Sequence, residues 1–363
     1  MTEHCRKDDL MSKIRVLVVD DSAFMRKIIP QMLSEEDSLD VVGTAKDGNE
    51  AFKKVIEIKP DVVTLDVEMP GMDGLETLCC IMNERPTPII MLSAYTPRGA
   101  ETTLKALEYG AFDFVCKPSG TISIDIKKVK DELVEKIKAA YSANVKKLTV
   151  MTPRKASVEK ENPVPAQKNS VLVIIAASTG GPRALADFIP KIPGNLPASF
   201  LIIQHMSAGF TKTLAERLNN QSLISIKEAE NGDVLRPGYA YLAPGNHHME
   251  LETVNEEYKI ILNTKPTRLG VRPSADVSMF SAVSVFRGKI ISVVLTGMGR
   301  DGSEGSQKIK DAGGAVITQD RETSVIYGMP KAVAEKGIAD EILPLGEMPE
   351  ILIERIKTAA GKK

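Results

Sequence analysis

The sequence predicts an α/β protein built from two parallel-sheet domains, and three observations support this fold class. In both halves of the chain, short apolar runs alternate with longer amphipathic stretches, as expected for a parallel sheet with helices on both faces. A stretch rich in Lys, Glu, Ser and Pro separates the halves from about Ser142 to Ser170, and its apolar content is too low to offset its ordering entropy. The length of 363 residues fits two domains of roughly 150 residues each.

The first half predicts a five-stranded domain at residues 13–140, preceded by an N-terminal tail at 1–12. Its apolar runs are Ile14 to Val19, Val41 to Gly43, Val62 to Leu65, Ile89 to Leu92 and Phe112 to Val115. Four helical patterns separate these runs and a fifth follows the last one. Strands joined by helix-length connections form a doubly wound parallel sheet.

The second half predicts another α/β domain at residues 170–363, after a linker at 141–169. Its predicted strands are Val171 to Ala177, Phe200 to Ile203, Tyr239 to Leu242, Lys259 to Leu262 and Ile290 to Leu295. Helical patterns follow the first, second and last of these, for example Pro182 to Ile189 and Gly302 to Ala312. The middle strands have no such helices between them, so we expect a doubly wound sheet with some antiparallel strands.

Composition argues against two classes of function. The 47 basic and 48 acidic side chains give a formal net charge of -1, which provides no sustained positive field for binding a nucleic acid. The longest purely apolar run, Val171 to Ala177, is far shorter than the roughly 18 to 20 residues that span a bilayer. The first ten residues lack the apolar core of a secretory signal. We therefore expect a cytoplasmic protein that does not insert into a membrane.

Polar residues follow the strands of the first half where their carboxyl ends should meet. Asp20 and Asp21 follow the first strand, Asp66 the third, Ser93 lies just beyond the fourth and Lys117 just beyond the fifth. Each alone could be a helix cap, a loop residue or a turn residue. Together they predict a crevice whose carboxylates need a hard cation such as Mg²⁺, with Asp66 as a nucleophile and Lys117 as a fixed positive charge.

The segments VLVVDDS, LDVEMPGMDG, MLSAYT and FDFVCKP resemble the receiver domain of two-component response regulators. This resemblance implies a flavodoxin-like (βα)5 fold in which Asp66 accepts phosphate from a histidine kinase. It also implies a Mg²⁺ site, with the ligands Asp20, Asp21, Asp66 and the carbonyl of Glu68. The switch residues that it implies are Ser93, Phe114 and Lys117, with Phe114 changing rotamer as Ser93 moves toward the phosphoryl group.

The second half displays a serine, a histidine and an aspartate at three strand ends. Ser178 begins the turn Ser-Thr-Gly-Gly-Pro, His205 follows the second strand, and Asp301 lies in the glycine-rich loop after the last predicted strand. A hydroxyl, an imidazole and a carboxylate are the groups of a nucleophilic triad, which is recognised by geometry and not by chain order. Taken singly, His205 could be a core residue, Asp301 a helix cap and Ser178 part of a phosphate-binding loop. The Ser178 turn matches none of the motifs GxGxxG, GxxxxGK[ST] and GxSxG.

The segments AASTGGP, IIQHM, LAPGNHHM, RPSADVSMF, LTGMGRDG and YGMP resemble the catalytic domain of the chemotaxis methylesterases, the CheB family. The resemblance implies Ser178 as the nucleophile, His205 as the base, Asp301 as the carboxylate that orients it and the Met298 amide as an oxyanion donor. It implies hydrolysis of glutamate methyl esters and deamidation of specific glutamines on chemoreceptors, with no cofactor for this reaction. Phosphorylation of the receiver by a chemotaxis histidine kinase would control it.

Two other functions remain open at this stage. A receiver can control a transcription factor, but a basic recognition helix is not evident in the second half. The Ser178 turn could serve a nucleotide-binding scaffold without catalysis. His247 and His248 are adjacent and have no third ligand nearby, so we expect a structural role for His248 and not a zinc site.

Overall fold

The computed structural model of the chain describes residues 13–94, 96–117, 123–143, 160 and 171–361. These residues form two compact units, one within 1–151 and one within 152–363. The predicted N-terminal tail and nearly all of the predicted linker lie outside the described residues. No helix within the described ranges is both long enough and apolar enough to cross a lipid bilayer.

The first unit is a five-stranded parallel sheet with five helices. Its strands are β1 Ile14–Val19, β2 Leu39–Ala45, β3 Val62–Asp66, β4 Ile89–Ser93 and β5 Asp113–Cys116. Its helices are α1 Met25–Leu33, α2 Gly48–Ile58, α3 Gly74–Glu84, α4 Pro97–Glu108 and α5 Ser123–Ser142. The strand order β2-β1-β3-β4-β5 reverses direction between β1 and β3, which makes the carboxyl ends of these two strands the binding crevice.

Local sequence signals explain where several helices of this unit begin. The side chain of Asp47 accepts a hydrogen bond from the Glu50 amide at the start of α2. Asp73 and Glu76 form a reciprocal capping box at the start of α3. Such caps satisfy amides that the first helical turn leaves unpaired, each contributing about 1 kcal/mol. Strands β3 and β4 are buried along their whole length, as expected for a sheet covered on both faces.

The second unit is a seven-stranded parallel sheet with an added antiparallel hairpin. The strands of the sheet are β6 Val171–Ala177, β7 Ala198–Gln204, β8 Ser225–Glu228, β9 Tyr239–Leu242, β12 Lys289–Val294, β13 Ala315–Gln319 and β14 Glu341–Leu343. The hairpin strands are β10 His248–Val254 and β11 Glu257–Asn263. The helices are α6 Gly181–Phe188, α7 Phe210–Gln221, α8 Ala275–Val285, α9 Ser303–Asp311, α10 Met329–Glu335 and α11 Met348–Ala359.

The strand order of this sheet, β14-β13-β12-β6-β7-β9-β8, places β6 at its centre. From β6 the chain builds the sheet toward β8 and later returns to add β12 on the other side. The order therefore reverses between β6 and β12, and their carboxyl ends form the crevice of the second unit. Both β6 and β7 are fully buried, so the loops that follow them start from rigid elements.

The hairpin and α8 cover one face of the second sheet next to this crevice. Met279 of α8, Met249 of β10 and Ile260 of β11 belong to one buried cluster that includes side chains of β6 and β12. Packing against this cluster fixes the first turn of α8 relative to the sheet. That position matters because the first turn of α8 contacts the loop after β12.

The predicted fold class is confirmed, although four strands were not predicted. Strand β8 (SIKE) and the three-residue β14 are short edge strands with little apolar signal. Strand β13 follows the turn at Gly313 and Gly314 directly after α9. Strand β10 (HMELETV) alternates in burial over its first residues but carries charges, and only its antiparallel partner β11 was predicted.

Candidate functional site

Three carboxylates meet at the crevice of the first unit. Asp20 follows β1 and Asp66 ends β3, and both are buried, whereas Asp21 is exposed. One oxygen from each of Asp20, Asp21 and Asp66 lies within 4.8 Å of the others. The strand order produces this convergence, since Asp66 is far in sequence from the adjacent pair Asp20 and Asp21. Three oxygens this close repel one another and form a donor set that suits a hard divalent cation.

Lys117 partly balances this cluster. Its Nζ lies 2.8 Å from Asp20 Oδ2 and 2.7 Å from Asp66 Oδ2. Burial alone lowers the pKa of Lys117, but the contacts with Asp20 and Asp66 outweigh burial and raise it above its usual value. Lys117 therefore carries its charge at neutral pH. One ammonium and three carboxylates leave a net negative charge, so a cation still fits the cluster.

Asp66 is the carboxylate most affected by its surroundings. Burial raises its pKa to about 6, against the opposing effect of Lys117. Its Oδ1 also accepts a weak hydrogen bond from the Glu68 amide at 3.3 Å. A carboxylate that is poorly solvated and faces a crevice is a suitable nucleophile once a cation and Lys117 screen an incoming anion.

Of the predicted switch residues, Lys117 contacts Asp66, whereas no hydrogen bond between Ser93 and Asp66 is found among the described residues. Ser93 ends β4 and is fully buried, but its hydroxyl donates to the carbonyl of Ala94 at 3.3 Å. Phe114 is only 5% exposed, and the Lys136 Nζ lies 5.3 Å from its ring centroid. The Ser93 hydroxyl must rotate before it can donate to a group on Asp66.

Ser178 lies at the crevice of the second unit, directly after β6. Its amide donates to the Thr296 carbonyl at 3.1 Å, which joins the end of β6 to the loop after β12. Gly180 has φ +76° and precedes α6, and a Cβ there would lie 2.7 Å from the Val325 Cβ. Only glycine makes this turn without strain and without a clash. The turn holds the backbone of Ser178 beside the first turn of α6.

His205 and Asp301 are in direct contact at the same edge of the sheet. The His205 amide donates to the Ala177 carbonyl at 3.0 Å, which places the imidazole one residue beyond the end of β7 and beside the end of β6. His205 Nε2 lies 2.8 Å from Asp301 Oδ2. Because Asp301 occupies Nε2, the nitrogen that can face a hydroxyl is Nδ1. Within the described ranges, Nδ1 has no hydrogen-bond partner and the Ser178 hydroxyl makes no bond to the imidazole.

The start of α8 holds the Asp301 carboxylate from the side opposite His205. Ser274 Oγ donates to Oδ1 at 2.8 Å, the Ala275 amide to Oδ2 at 2.6 Å and the Asp276 amide to Oδ1 at 3.1 Å. Burial by itself raises the pKa of Asp301, but His205, Ser274 and Ala275 together outweigh burial and lower it. Asp301 therefore stays ionised and can stabilise a protonated imidazole.

Ser274 was not predicted as a site residue, although a signal was available. It precedes Ala275, Asp276 and Val277 at the start of an apolar helical stretch, and its side chain accepts a hydrogen bond from the Val277 amide as an N-cap. A helix start binds anions through its free amides. Searching the sequence for a helix start that could receive the Asp301 carboxylate would have identified this position.

The loop after β12 brings Gly297, the residue before Met298, close to Ser178. A Cβ on Gly297 would lie 2.7 Å from the Ser178 Cβ and 2.5 Å from the Met329 Sδ, so only glycine allows this close approach. Met298 is half-buried, and among the described residues its amide has no hydrogen-bond acceptor. A backbone amide without an acceptor, one residue from this close approach, is suited to stabilising an oxyanion.

The adjacent histidines have separate environments. His248 begins β10, is 1% exposed and has its Nε2 3.1 Å from the Pro266 carbonyl. His247 is half-buried, with Nδ1 3.2 Å from the Gly245 carbonyl. The one cluster of potential metal ligands found among the described residues is the acidic cluster of the first unit. Neither histidine belongs to it.

Comparisons with known proteins match both units. The description "Response regulator receiver domain" applies to a family profile that matches residues 16–127, and "CheB methylesterase" to one that matches residues 173–352. The chain is 49% identical over 350 residues to the protein-glutamate methylesterase/protein-glutamine glutaminase of Pyrococcus abyssi, which covers 96% of this chain and 95% of the relative. It is 45% identical over 343 residues to the protein of the same description from Thermotoga maritima, covering 94% and 98%.

Among solved structures, the second unit is similar to the crystal structure of the Thermotoga maritima CheB methylesterase catalytic domain. The two share 45% sequence identity with a TM-score of 0.50, and the match covers 51% of this chain and 98% of that chain. The relatives thus extend over nearly the whole chain, and this solved domain corresponds to the half that carries Ser178.

Proposed function

The chain belongs to the CheB methylesterase family, and from this membership we propose that its Ser178 site hydrolyses glutamate methyl esters on chemoreceptors under the control of phosphorylation at Asp66. Methylester hydrolysis and glutamine deamidation are the activities in the names of its full-length relatives. The observation that carries the assignment of the site is the 2.8 Å contact between His205 Nε2 and Asp301. His205 follows β7, which is the neighbour of β6 in the sheet, and Ser178 follows β6.

We assign the roles in ester hydrolysis from this geometry. Ser178 Oγ attacks the ester carbonyl while His205 Nδ1 takes its proton, since Nε2 faces Asp301. The ionised Asp301 stabilises the imidazolium and fixes its tautomer. The imidazolium returns the proton to the departing methoxide, so methanol leaves and an acyl-serine remains. A water molecule, activated by the same nitrogen, then releases the glutamate carboxylate and restores the hydroxyl.

The free amide of Met298 is proposed to donate to the oxyanion of each tetrahedral intermediate. A single donor of this kind contributes about 3 to 4 kcal/mol to transition-state stabilisation in related hydrolytic chemistry. The same steps remove ammonia in place of methanol when the side chain is a glutamine amide. These proposed esterase steps use only protein groups and water.

For the first unit we propose that Asp66 Oδ attacks a phosphoryl group donated by a histidine kinase. Receiver domains are phosphorylated in a Mg²⁺-dependent reaction. Here Asp20, Asp21 and Asp66, with the carbonyl of Glu68, would hold the ion, which would screen the phosphoryl oxygens. Lys117 balances the charge on Asp66, and a rotation of the Ser93 hydroxyl would satisfy one phosphoryl oxygen. Phe114 is proposed to change rotamer when the Ser93 side chain moves toward the phosphoryl group. Both partners, kinase and receptor, imply a reaction in the cytoplasm.

The domain boundaries proposed from the sequence remain 13–140 for the receiver, 141–169 for the linker and 170–363 for the methylesterase domain. They are supported by the end of α5 at Ser142 and the start of β6 at Val171. The family matches at residues 16–127 and 173–352 fall inside the two proposed domains.

We expect Mg²⁺ binding to weaken as the pH falls below about 6. The pKa of Asp66 is raised by burial from 3.8 to about 6, so a proton competes with the cation below that value. The folded state binds this proton more tightly than the unfolded state. Without Mg²⁺, the free energy of unfolding should therefore decrease by about 3 kcal/mol in total as the pH rises from well below 3.8 to well above 6.

Isothermal titration calorimetry at pH 5, 6, 7 and 8 measures the expected effect, a rise in the Kd for Mg²⁺ of about tenfold between pH 8 and pH 5, most of it below pH 6. Glu68→Gln is the control, since it keeps the backbone carbonyl and removes only an exposed carboxylate. A Kd that stays constant from pH 8 to pH 5 would contradict the assignment of Asp66 as a ligand.

The proposed function is tested by measuring methanol release from methylated receptor membranes with and without acetyl phosphate and Mg²⁺. We expect release in both conditions and a faster rate with the phosphodonor, because the receiver controls the esterase. Unmethylated membranes serve as the substrate control. Phosphate-dependent nucleotide binding with no methanol release would instead support a noncatalytic scaffold.

A further inference from the structure

A buried glutamine joins the backbones of Ser178 and His205. Gln204 is the last residue of β7 and is 1% exposed. Its Nε2 donates to the Ser178 carbonyl and to the His205 carbonyl, each at 3.0 Å. One side-chain amide thus contacts the proposed nucleophile and the proposed base at the same time.

This bridge begins where the sheet ends. Ala177 and Gln204 are the last paired residues of β6 and β7, and the His205 amide closes the ladder by donating to the Ala177 carbonyl at 3.0 Å. Beyond that bond, no backbone hydrogen bond joins Ser178 to His205 within the described residues. The Gln204 side chain provides the next cross-strand connection.

The amide orientation of Gln204 is fixed by its partners. Nε2 is the only donor atom of this side chain, so it must face the two carbonyl oxygens while Oε1 points away. Oε1 is then buried without a hydrogen-bond partner. The unpaired buried Oε1 lowers the free energy of unfolding. An apolar side chain of similar size would fill the same space without this cost. Packing therefore does not explain why this position carries an amide.

Gly181 makes room for this arrangement. A Cβ on Gly181 would lie 2.0 Å from Gln204 Oε1 and 2.9 Å from the Ala177 Cβ. Gly181 is the first residue of α6, where alanine is otherwise tolerated. The glycine is needed because the Gln204 amide fills the space beside it.

We propose that Gln204 is a positioning residue that sets the distance and orientation between Ser178 and His205. This inference rests on the proposed roles of those two residues. Nucleophilic attack requires the Ser178 hydroxyl and His205 Nδ1 to come within hydrogen-bond distance, which they have not done in this structure. Fixing both backbones through one rigid amide limits the remaining motion to side-chain rotation, and small errors in such geometry are costly to the rate.

The test replaces Gln204 with leucine, which is similar in size and donates no hydrogen bond. We expect kcat for methanol release to fall roughly 10- to 100-fold with KM unchanged, because the receptor-binding surface is not altered. Labelling of Ser178 by a fluorophosphonate should slow by a similar factor, which reports the reactivity of the serine without receptor binding. The unfolding temperature, measured by circular dichroism, should stay well above the assay temperature.

Tyr241→Phe is the matched control. Tyr241 is buried in the neighbouring strand β9, and its hydroxyl donates to the Val234 carbonyl at 2.6 Å. This variant also removes a buried side-chain bond to a backbone carbonyl, but away from Ser178 and His205. It should leave kcat and the labelling rate within about twofold of wild type. An equal loss of kcat in both variants would overturn the positioning role.

Gly181→Ala provides an independent perturbation that keeps the amide and displaces it. We expect the same fall in kcat at constant KM, and the double variant with Gln204→Leu should lose less than the product of the single losses. Unchanged kcat and labelling in both single variants would refute the inference. Ser178→Ala, assayed in parallel, distinguishes this failure from that of the proposed function, since an active Ser178→Ala enzyme would refute both.

Discussion

Ser178→Ala is expected to reduce methanol release from methylated receptors by at least about 10⁴-fold. The variant keeps the amide that bonds to Thr296 and the carbonyl that accepts from Gln204, and it removes only the hydroxyl. In serine hydrolases the loss of the nucleophile alone removes most of the catalysis, and the remainder comes from oxyanion stabilisation and binding. Gas chromatography of released methanol under saturating substrate measures kcat directly.

Ser284→Ala is the matched control for this experiment. Ser284 is exposed on α8, and its hydroxyl donates to the Phe280 carbonyl within the same helix. We expect activity within about twofold of wild type. Substantial methanol release by Ser178→Ala, with its fold intact by circular dichroism, would remove Ser178 from the mechanism and favour direct attack by water.

Patterning along the chain was sufficient to predict the sheet positions of the site residues. Ser178 and His205 follow apolar runs that became the central strands β6 and β7, and the carboxyl ends of neighbouring parallel strands lie at the same edge. The loop of Asp301 follows β12, on the other side of β6. Which strands are neighbours depends on the whole sheet and cannot be read from one segment of the sequence. The contact between His205 and Asp301 was therefore only a hypothesis at the level of sequence.

Atomic orientation could not be predicted in the same way. The choice of Nε2 for Asp301, and thus of Nδ1 for the serine, depends on the packing of α8 against the loop after β12. The contribution of Gln204 depends on a side chain that reaches across the ends of two strands. No local pattern specifies such contacts, because they involve residues brought together only by the tertiary fold.

The first unit shows the same division between pattern and geometry. Asp20, Asp66 and Lys117 converge as their positions after apolar strands predicted. The Ser93 hydroxyl donates to the Ala94 carbonyl. The pattern of apolar residues along a strand does not predict this side-chain rotamer. Both sites lie where the strand order reverses, so the proposed nucleophiles Asp66 and Ser178 occupy the same architectural position in their units.

Asp66→Asn is expected to abolish both phosphoryl incorporation and the stimulation of ester hydrolysis by acetyl phosphate. The amide is nearly isosteric with the carboxylate but is a poor nucleophile, and it removes one of the two carboxylates that contact Lys117. The basal rate should remain, because Asp66 belongs to the first unit and Ser178, His205 and Asp301 belong to the second. The ratio of stimulated to basal methanol release should therefore fall to about one.

Asp131→Asn is the control for this prediction, since Asp131 is an exposed aspartate of α5 in the same unit. It should retain full incorporation of phosphate and full stimulation. Stimulation that persists in Asp66→Asn would mean that the phosphodonor acts elsewhere on the chain. If Asp66→Asn loses phosphate incorporation but acetyl phosphate still stimulates methanol release, the control of the esterase does not depend on phosphorylation of Asp66. The proposed link between the receiver and the esterase would then be wrong.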